Sequence, residues 1–399
     1  MTTISRSRAP ASYRRYLRFA RGTGSNTESI VLHAGFMLTG AYTTFLGTAL
    51  PLLMTRWHLR DSQAGTLFFA QFLGSMCGAF LKGRSLPRMI ALGFALVALC
   101  AGMLAVAPPI VAPLVLFLSG CGLGMAMTST SVRIEQIASG ASGNALASLN
   151  AVWAAGAGLA PWLLLTGIHR SLTTFLLAMM IPAALAAGSV LWVVQQAAVP
   201  HMIDGVTSRL PPAALPLPYA LLLILLSFGA VGVETGLGGW MTAYIARAGL
   251  AAVVSTMAAS CFWFGLLLSR ALLALLMTRR TSAISVLLGA IAFTFGAACL
   301  LLVSTAPVPI IFVALLCGCG VGPLYPLVLA RALALMRGRA VFAVAGLGAA
   351  FVPLTTGLIS QGVGSLEVGL LLPLSLLLLM FFALFLGRLG IRETAEVQR

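Results

Sequence analysis

Charge is so sparse in this chain of 399 residues that arginines and turn residues divide it into twelve long apolar runs. The runs fall at roughly 29–54, 62–81, 87–107, 110–132, 143–168, 172–195, 217–245, 251–276, 283–304, 308–335, 340–361 and 367–387. Each approaches or exceeds the about 20 residues that a helix needs to cross about 30 Å of hydrocarbon. Lipid offers no water to satisfy stray backbone groups, so spans of this kind are helices. Composition excludes a water-soluble alternative. Sixty per cent of the chain is hydrophobic and 8% is charged, with a mean hydropathy of +1.04, against about 25% charged residues in an ordinary soluble domain. The short connections HRS (169–171) and ARAGL (246–250) leave no room for a soluble domain.

The basic residues are distributed by side. With the first segment placed inside, the tails and inward loops hold most of them, including Arg14, Arg15, Arg18, Lys82, Arg88, Arg209, Arg279, Arg280 and Arg392. The outward loops hold only Arg56, Arg60, Arg170 and Arg247. This bias predicts that both termini are cytoplasmic. The formal net charge of +16 then reflects topology and anionic headgroups rather than nucleic acid. Residues 1–28 lack the apolar core of a secretory signal and read as a cytoplasmic tail. All seven cysteines fall within predicted spans, so neither a disulfide nor a metal site is expected.

Residues 119–133 read SGCGLGMAMTSTSVR, and residues 317–331 read CGCGVGPLYPLVLAR. Glycines occupy the second, fourth and sixth places of each, and an arginine closes each (Arg133 and Arg331, 198 residues apart). Gly40 to Gly47 in the first run matches Gly232 to Gly239 in the seventh at an offset of 192, as Pro161 matches Pro353. The longest break in the apolar pattern, 196–216, contains four prolines and separates six runs from six. The expected fold class is therefore an all-α membrane protein with twelve transmembrane helices in two pseudo-symmetric six-helix bundles. The expected organisation is a tail over 1–28, bundles over 29–195 and 217–390, a linker over 196–216 and a tail over 391–399. Such parallel duplication marks secondary transporters, with the site between the halves near the midplane.

These residues resemble the major facilitator superfamily along 29–390. Within it, GAYTTFLGTALPLL (40–53), DSQAGTLFFAQFLGSMCGAF (61–80) and GVGPLYPLVLAR (320–331) are similar to the fucose–glucose–galactose symporter group. The resemblance implies a transporter of the cell inner membrane that works by alternating access. The chain departs from the pattern in three places. Lys82 stands where the superfamily's loop between helices two and three has aspartate. Gly47 and Met127 stand where the fucose symporters carry the acids linked to proton coupling and sugar binding.

Of eight acidic residues, Glu234 alone lies deep in a predicted span. An acid there costs about 2.5–3.5 kcal/mol on insertion scales, so it is expected to face the bundle interior or a wet cavity. Two roles follow: coupling a proton or sodium, and accepting hydrogen bonds from substrate hydroxyls. The structural alternative is a bond to a neighbouring hydroxyl such as Thr235. Tyr42, Gln71, Asn150, Trp153, Trp263 and Tyr325 complete the expected substrate-binding set, because sugars take amides and hydroxyls beside flat aromatic faces. The repeat register places Glu234 opposite the first helix, near Tyr42. Arg133 and Arg331 either anchor in headgroups or close a cytoplasmic gate across the halves, with Glu135 as a candidate partner. No phosphate loop, carboxylate pair or histidine cluster is present in the sequence, so an enzyme, a cofactor and ATP drive are not expected. The leading expectation is gradient-driven transport of a small polar solute, first a sugar, by a monomer. Efflux of an amphipathic compound, suggested by Met- and Phe-rich spans and the Pro161 stretch, is one alternative, and a non-transporting solute sensor is the other.

Overall fold

The computed structural model describes residues 11–83, 85–138, 142–168, 171–196, 216–276, 282–335 and 338–397. Most of the linker read at 196–216, and Arg84 of the loop after the second run, lie outside them. Among the described residues the first half comprises α1 (Ala11–Trp57), α2 (Asp61–Phe80), α3 (Leu86–Val106), α4 (Ala112–Ala138), α5 (Ser142–Ile168) and α6 (Leu172–Gln196). The second comprises α7 (Leu217–Arg247), α8 (Ala252–Leu276), α9 (Ala283–Val303), α10 (Pro307–Val321), α11 (Leu324–Leu335), α12 (Gly338–Val363) and α13 (Leu366–Val397). Eleven spans among the described residues are long and apolar enough to cross a membrane, and α2 packs against α4 and α12. The face at the start of α1 and the end of α13 is called the terminus face, and the face with Asp61 and Arg247 the far face.

Three elements differ from the expected runs. Helix α13 continues to Val397, into the stretch read as the tail 391–399. Helix α1 begins at Ala11, inside the stretch read as a tail. Its opening ASYRRYLRFAR consists largely of good helix formers, and extending an existing helix escapes the cost of nucleation. The tenth run is two helices, α10 and α11, rather than one. Pro323 and Pro326 have no N–H, so the carbonyls of Cys319 and Gly322, four residues earlier, lose their helical donors.

The repeated glycines are contact points between backbones. A Cβ on Gly120 would stand 2.0 Å from the Gln71 carbonyl oxygen of α2, and one on Gly124 would stand 2.0 Å from that of Ser75. On Gly318 and Gly322 of the second half, the same atom would meet the Phe262 and Leu266 carbonyls of α8 at 1.9 and 2.7 Å. Between them, Gly122 lies against Gly93 of α3, and Gly320 against Thr294 of α9. Alternate glycines thus seat two neighbours on opposite sides of one helix. Only glycine permits this approach, which in lipid is a main source of helix–helix attraction. The α1–α5 contact recurs in the same way: Gly156 meets the Met37 carbonyl, and Gly348 meets that of Phe228.

The halves meet through α2 with α12, α5 with α8, and α1 with α7. The hydrogen bonds that join described residues of the two halves all fall toward the far face. Arg247 donates from both terminal nitrogens to Asp61, one bond being 2.8 Å. Ser360 Oγ also donates to Asp61, the Ser62 amide donates to Gln361 Oε1 at 3.1 Å, and Thr242 donates to the Gly47 carbonyl. Asp61 opens α2 and Arg247 closes α7, so each charge also complements its own helix dipole.

Candidate functional site

Glu234 lies near the middle of α7, on the side that faces α8, and is 7% exposed. Its partner is Arg270, which donates from Nη2 to Glu234 Oε2 at 2.9 Å. The anticipated Thr235 hydroxyl turns back instead to the Val231 carbonyl at 2.9 Å. Arg270 is occupied on a second side: its Nε donates to the Gly322 carbonyl at 3.1 Å. That carbonyl is the one orphaned by Pro326. The broken tenth span and the buried ion pair are therefore one construction, in which a proline removes a backbone donor and a guanidinium replaces it. Tyr325 is the residue before that proline, half-buried against the core.

A buried pair of this kind persists only when its remaining hydrogen-bonding capacity is met. Among the described residues nothing bonds Glu234 Oε1 or Arg270 Nη1, and neither is a buried unpaired atom. One carboxylate oxygen and one guanidinium nitrogen are thus left open beside each other, which suits a ligand carrying a donor next to an acceptor.

One turn toward the far face, the Trp263 ring covers Gly238 of α7, with Cζ2 2.9 Å from where a Cβ would stand. Trp263 meets Trp153 of α5 edge to face, with centroids 5.9 Å apart. This contact joins the two halves at mid-span. Trp153 is 8% exposed, and its indole N–H is buried without a partner. A buried donor left unmade costs about 1–3 kcal/mol, so this one is available to an acceptor. Asn150, on the preceding turn of α5, is exposed and bonds the Leu146 carbonyl at 3.0 Å.

The other expected residues are placed elsewhere. Tyr42 is not opposite Glu234: its ring packs with Val97, Leu123 and Ala183 inside the first half, and its hydroxyl donates to the Met179 carbonyl of α6. Gln71 is buried and donates from Nε2 to the Thr43 carbonyl at 3.1 Å. The reason is angular. Gly47 and Gly239 form the α1–α7 contact, and Tyr42 and Glu234 each precede them by five residues, about 140° around the helix.

On the terminus face each closing arginine bonds within its own half. Arg133 meets Glu28 of α1 at 2.5 Å, with both side chains buried, whereas Glu135 is exposed. Arg331 is exposed and donates from Nε to the Tyr219 hydroxyl of α7 at 2.8 Å. His33 links α1 to α5 through Ser148 Oγ at 2.8 Å.

The residue that sequence reasoning missed is Arg270. It stands within the run 251–276, and a search for the counter-charge of a lone intramembrane acid would have found it. The Asp61–Arg247 pair left no such signal, since its members are 186 residues apart and both lie at span ends.

No family model matches the sequence, and no curated protein matches it. Solved structures do resemble it in fold. The nucleoside transporter NupG matches with a TM-score of 0.68 at 14% identity, over 91% of this chain and 97% of that one. A bacterial homologue of the human lysosomal transporter Spinster, in an inward-facing and occupied conformation, matches at 0.64 and 15%, over 95% and 98%. The E. coli fucose:proton symporter FucP matches at 0.57 and 15%, over 90% and 98%. At such identities the likeness is one of fold, and the fold is that of the major facilitator transporters.

Proposed function

We propose that this chain is a secondary active transporter that carries a small polar solute across the membrane by alternating access, coupled to a proton or another cation. The observation that carries the proposal is the Glu234–Arg270 pair held at a broken mid-span helix, the setting in which transporters of this architecture bind their cargo. Residues 29–195 rock against 217–390. The far face is latched by Asp61, Arg247 and Ser360, and the arginines of the terminus face bond within their own halves. This arrangement supports a state open toward the terminus face. Given the asymmetry of the arginines, that face is cytoplasmic and the membrane is the inner membrane. When the terminus face closes, Arg133, Glu135 and Arg331 stand at the ends of helices that approach one another, so they are the proposed gate.

The solute lies between Trp153 and the Glu234–Arg270 pair, with Asn150, Trp263 and Tyr325 around it. The free indole N–H of Trp153 donates to an acceptor, the open oxygen of Glu234 receives a hydroxyl, and the aromatic rings cover a flat apolar face. A hexose carries all three features. In the first half, Tyr42 and Gln71 hold α1 to α6 and α2 and shape the wall behind the site. Coupling follows from the pair itself. A proton on Glu234 cancels its charge, weakens its hold on Arg270 and frees a guanidinium donor for the solute. Loss of the proton restores the pair and expels the solute.

The test uses purified protein in sealed liposomes with an imposed proton gradient and radiolabelled hexoses, beginning with fucose and galactose. Glu234→Gln keeps the shape of the side chain and removes the titrating group. Uphill accumulation is expected to vanish while counterflow exchange of solute persists. Accumulation at the wild-type level in the variant would overturn the coupling role of Glu234. Failure of every gradient to drive any solute would overturn the transporter reading.

A further inference from the structure

The two repeated stretches end on arginines whose partners differ in charge. Arg133 is buried and neutralised by Glu28. Arg331 is exposed, and among the described residues no carboxylate pairs with it. Its Nε is held by the Tyr219 hydroxyl, and its guanidinium carbon lies 5.9 Å from the centre of the Tyr219 ring. Among the residues whose side chains are described, none bonds the two terminal nitrogens of Arg331, so they form an open fork.

That fork stands at the mouth of a cleft. Helices α7, α9, α11 and α13 bound it, and its walls include Leu223, Leu226, Ile284, Leu287, Val328 and Leu384. Apart from Tyr219 and Arg331 its lining is hydrocarbon, together with Gly387 where α13 passes close to Leu222. In a membrane such a cleft is filled by acyl chain, but filling alone selects nothing, because lipid tails are as apolar as leucine. Selection comes from the cation at the mouth. A guanidinium fork fits a phosphate oxygen pair, and the bond to Tyr219 fixes its orientation beforehand.

We propose that this cleft is a binding site for an anionic phospholipid, with one acyl chain between α7, α9, α11 and α13 and the headgroup phosphate on the terminal nitrogens of Arg331. The first half has no such site at Arg133, because Glu28 occupies the guanidinium. The lipid ties the start of α7 to the end of α11, the span whose break carries the Glu234–Arg270 pair.

The experiment uses the full-length protein purified in mild detergent and offered phosphatidylglycerol, phosphatidylcholine or inorganic phosphate. Retained lipid is counted by native mass spectrometry, and thermal unfolding is followed in parallel. The wild type is expected to retain phosphatidylglycerol over phosphatidylcholine by about fivefold, the preference that one well-placed arginine supplies. In Arg331→Gln the ratio falls to about one, while Arg331→Lys keeps part of it. If Arg331→Gln does not fold, Ile284→Trp, which fills the cleft and leaves the arginine in place, must lower the amount of phosphatidylglycerol retained. An unchanged ratio in Arg331→Gln, or unchanged retention in Ile284→Trp, overturns the proposal. Stabilisation by inorganic phosphate equal to that by phosphatidylglycerol overturns it too, since the ligand would then be a free anion.

Discussion

The first and second halves share a backbone plan and differ in charge. Gly120, Gly122 and Gly124 seat α2 and α3 as Gly318, Gly320 and Gly322 seat α8 and α9. At the position where α1 has Tyr42, locked into its own bundle, α7 has Glu234. Where α4 runs unbroken through Met125 and Thr128, the corresponding residues of the second half are Pro323 and Pro326. Where Arg133 has a carboxylate, Arg331 has a phenol. The close contacts that hold the helices together have no room to vary, because their alternative is a clash between backbones. Side chains pointing into the spaces between helices are free to change, and the second half has used that freedom to gather a mid-span ion pair, a broken helix and an arginine that no described carboxylate neutralises.

The largest test of this contrast compares the two arginines. Arg133→Ala leaves Glu28 buried and unpaired, which should destabilise the protein by about 3–5 kcal/mol. Arg331→Ala removes only an exposed hydrogen bond and a cation–π contact, about 1 kcal/mol or less. Thermal unfolding of the two variants side by side in detergent measures the gap. Equal losses would mean that the two ends of the repeat are energetically alike after all.

A smaller effect checks what the halves share. Gly120→Ala and Gly318→Ala each place a methyl group about 2 Å from a carbonyl oxygen. The helices must separate, at a cost of about 1–3 kcal/mol that outweighs the helix-propensity gain of about 1 kcal/mol. Both variants should lose melting temperature by similar amounts. Gly289→Ala, which meets nothing within 4 Å, should lose none. A large loss in one half with none in the other would break the equivalence of the two contacts.

The smallest change in stability is expected for Pro326→Ala. It returns an N–H to face the Gly322 carbonyl and removes the reason for Arg270 Nε to remain there. Stability should hold or rise slightly, since the helix gains a donor. Gradient-driven uptake should nevertheless fall, because the guanidinium that positions Glu234 is no longer anchored. Unaltered uptake in liposomes would separate the helix break from the site.

The twelve spans, their division into six and six and the all-helical class were legible in the sequence, because apolar length and glycine spacing are local properties that lipid turns directly into helices and close contacts. The burial of Glu234 inside the bundle was legible for the same reason, as a lone acid in an apolar run. What only the tertiary structure decided is which side chains meet: Arg270 with Glu234 and the Gly322 carbonyl, Trp153 with Trp263, Glu28 with Arg133, and Asp61 with Arg247 across the two halves. Each partnership depends on how one helix is rotated against another. A rotation of about 140° turns Tyr42 away from the α1–α7 contact and into the core of its own bundle, and it is set by the sum of many backbone contacts along the helix rather than by any residue that can be read alone.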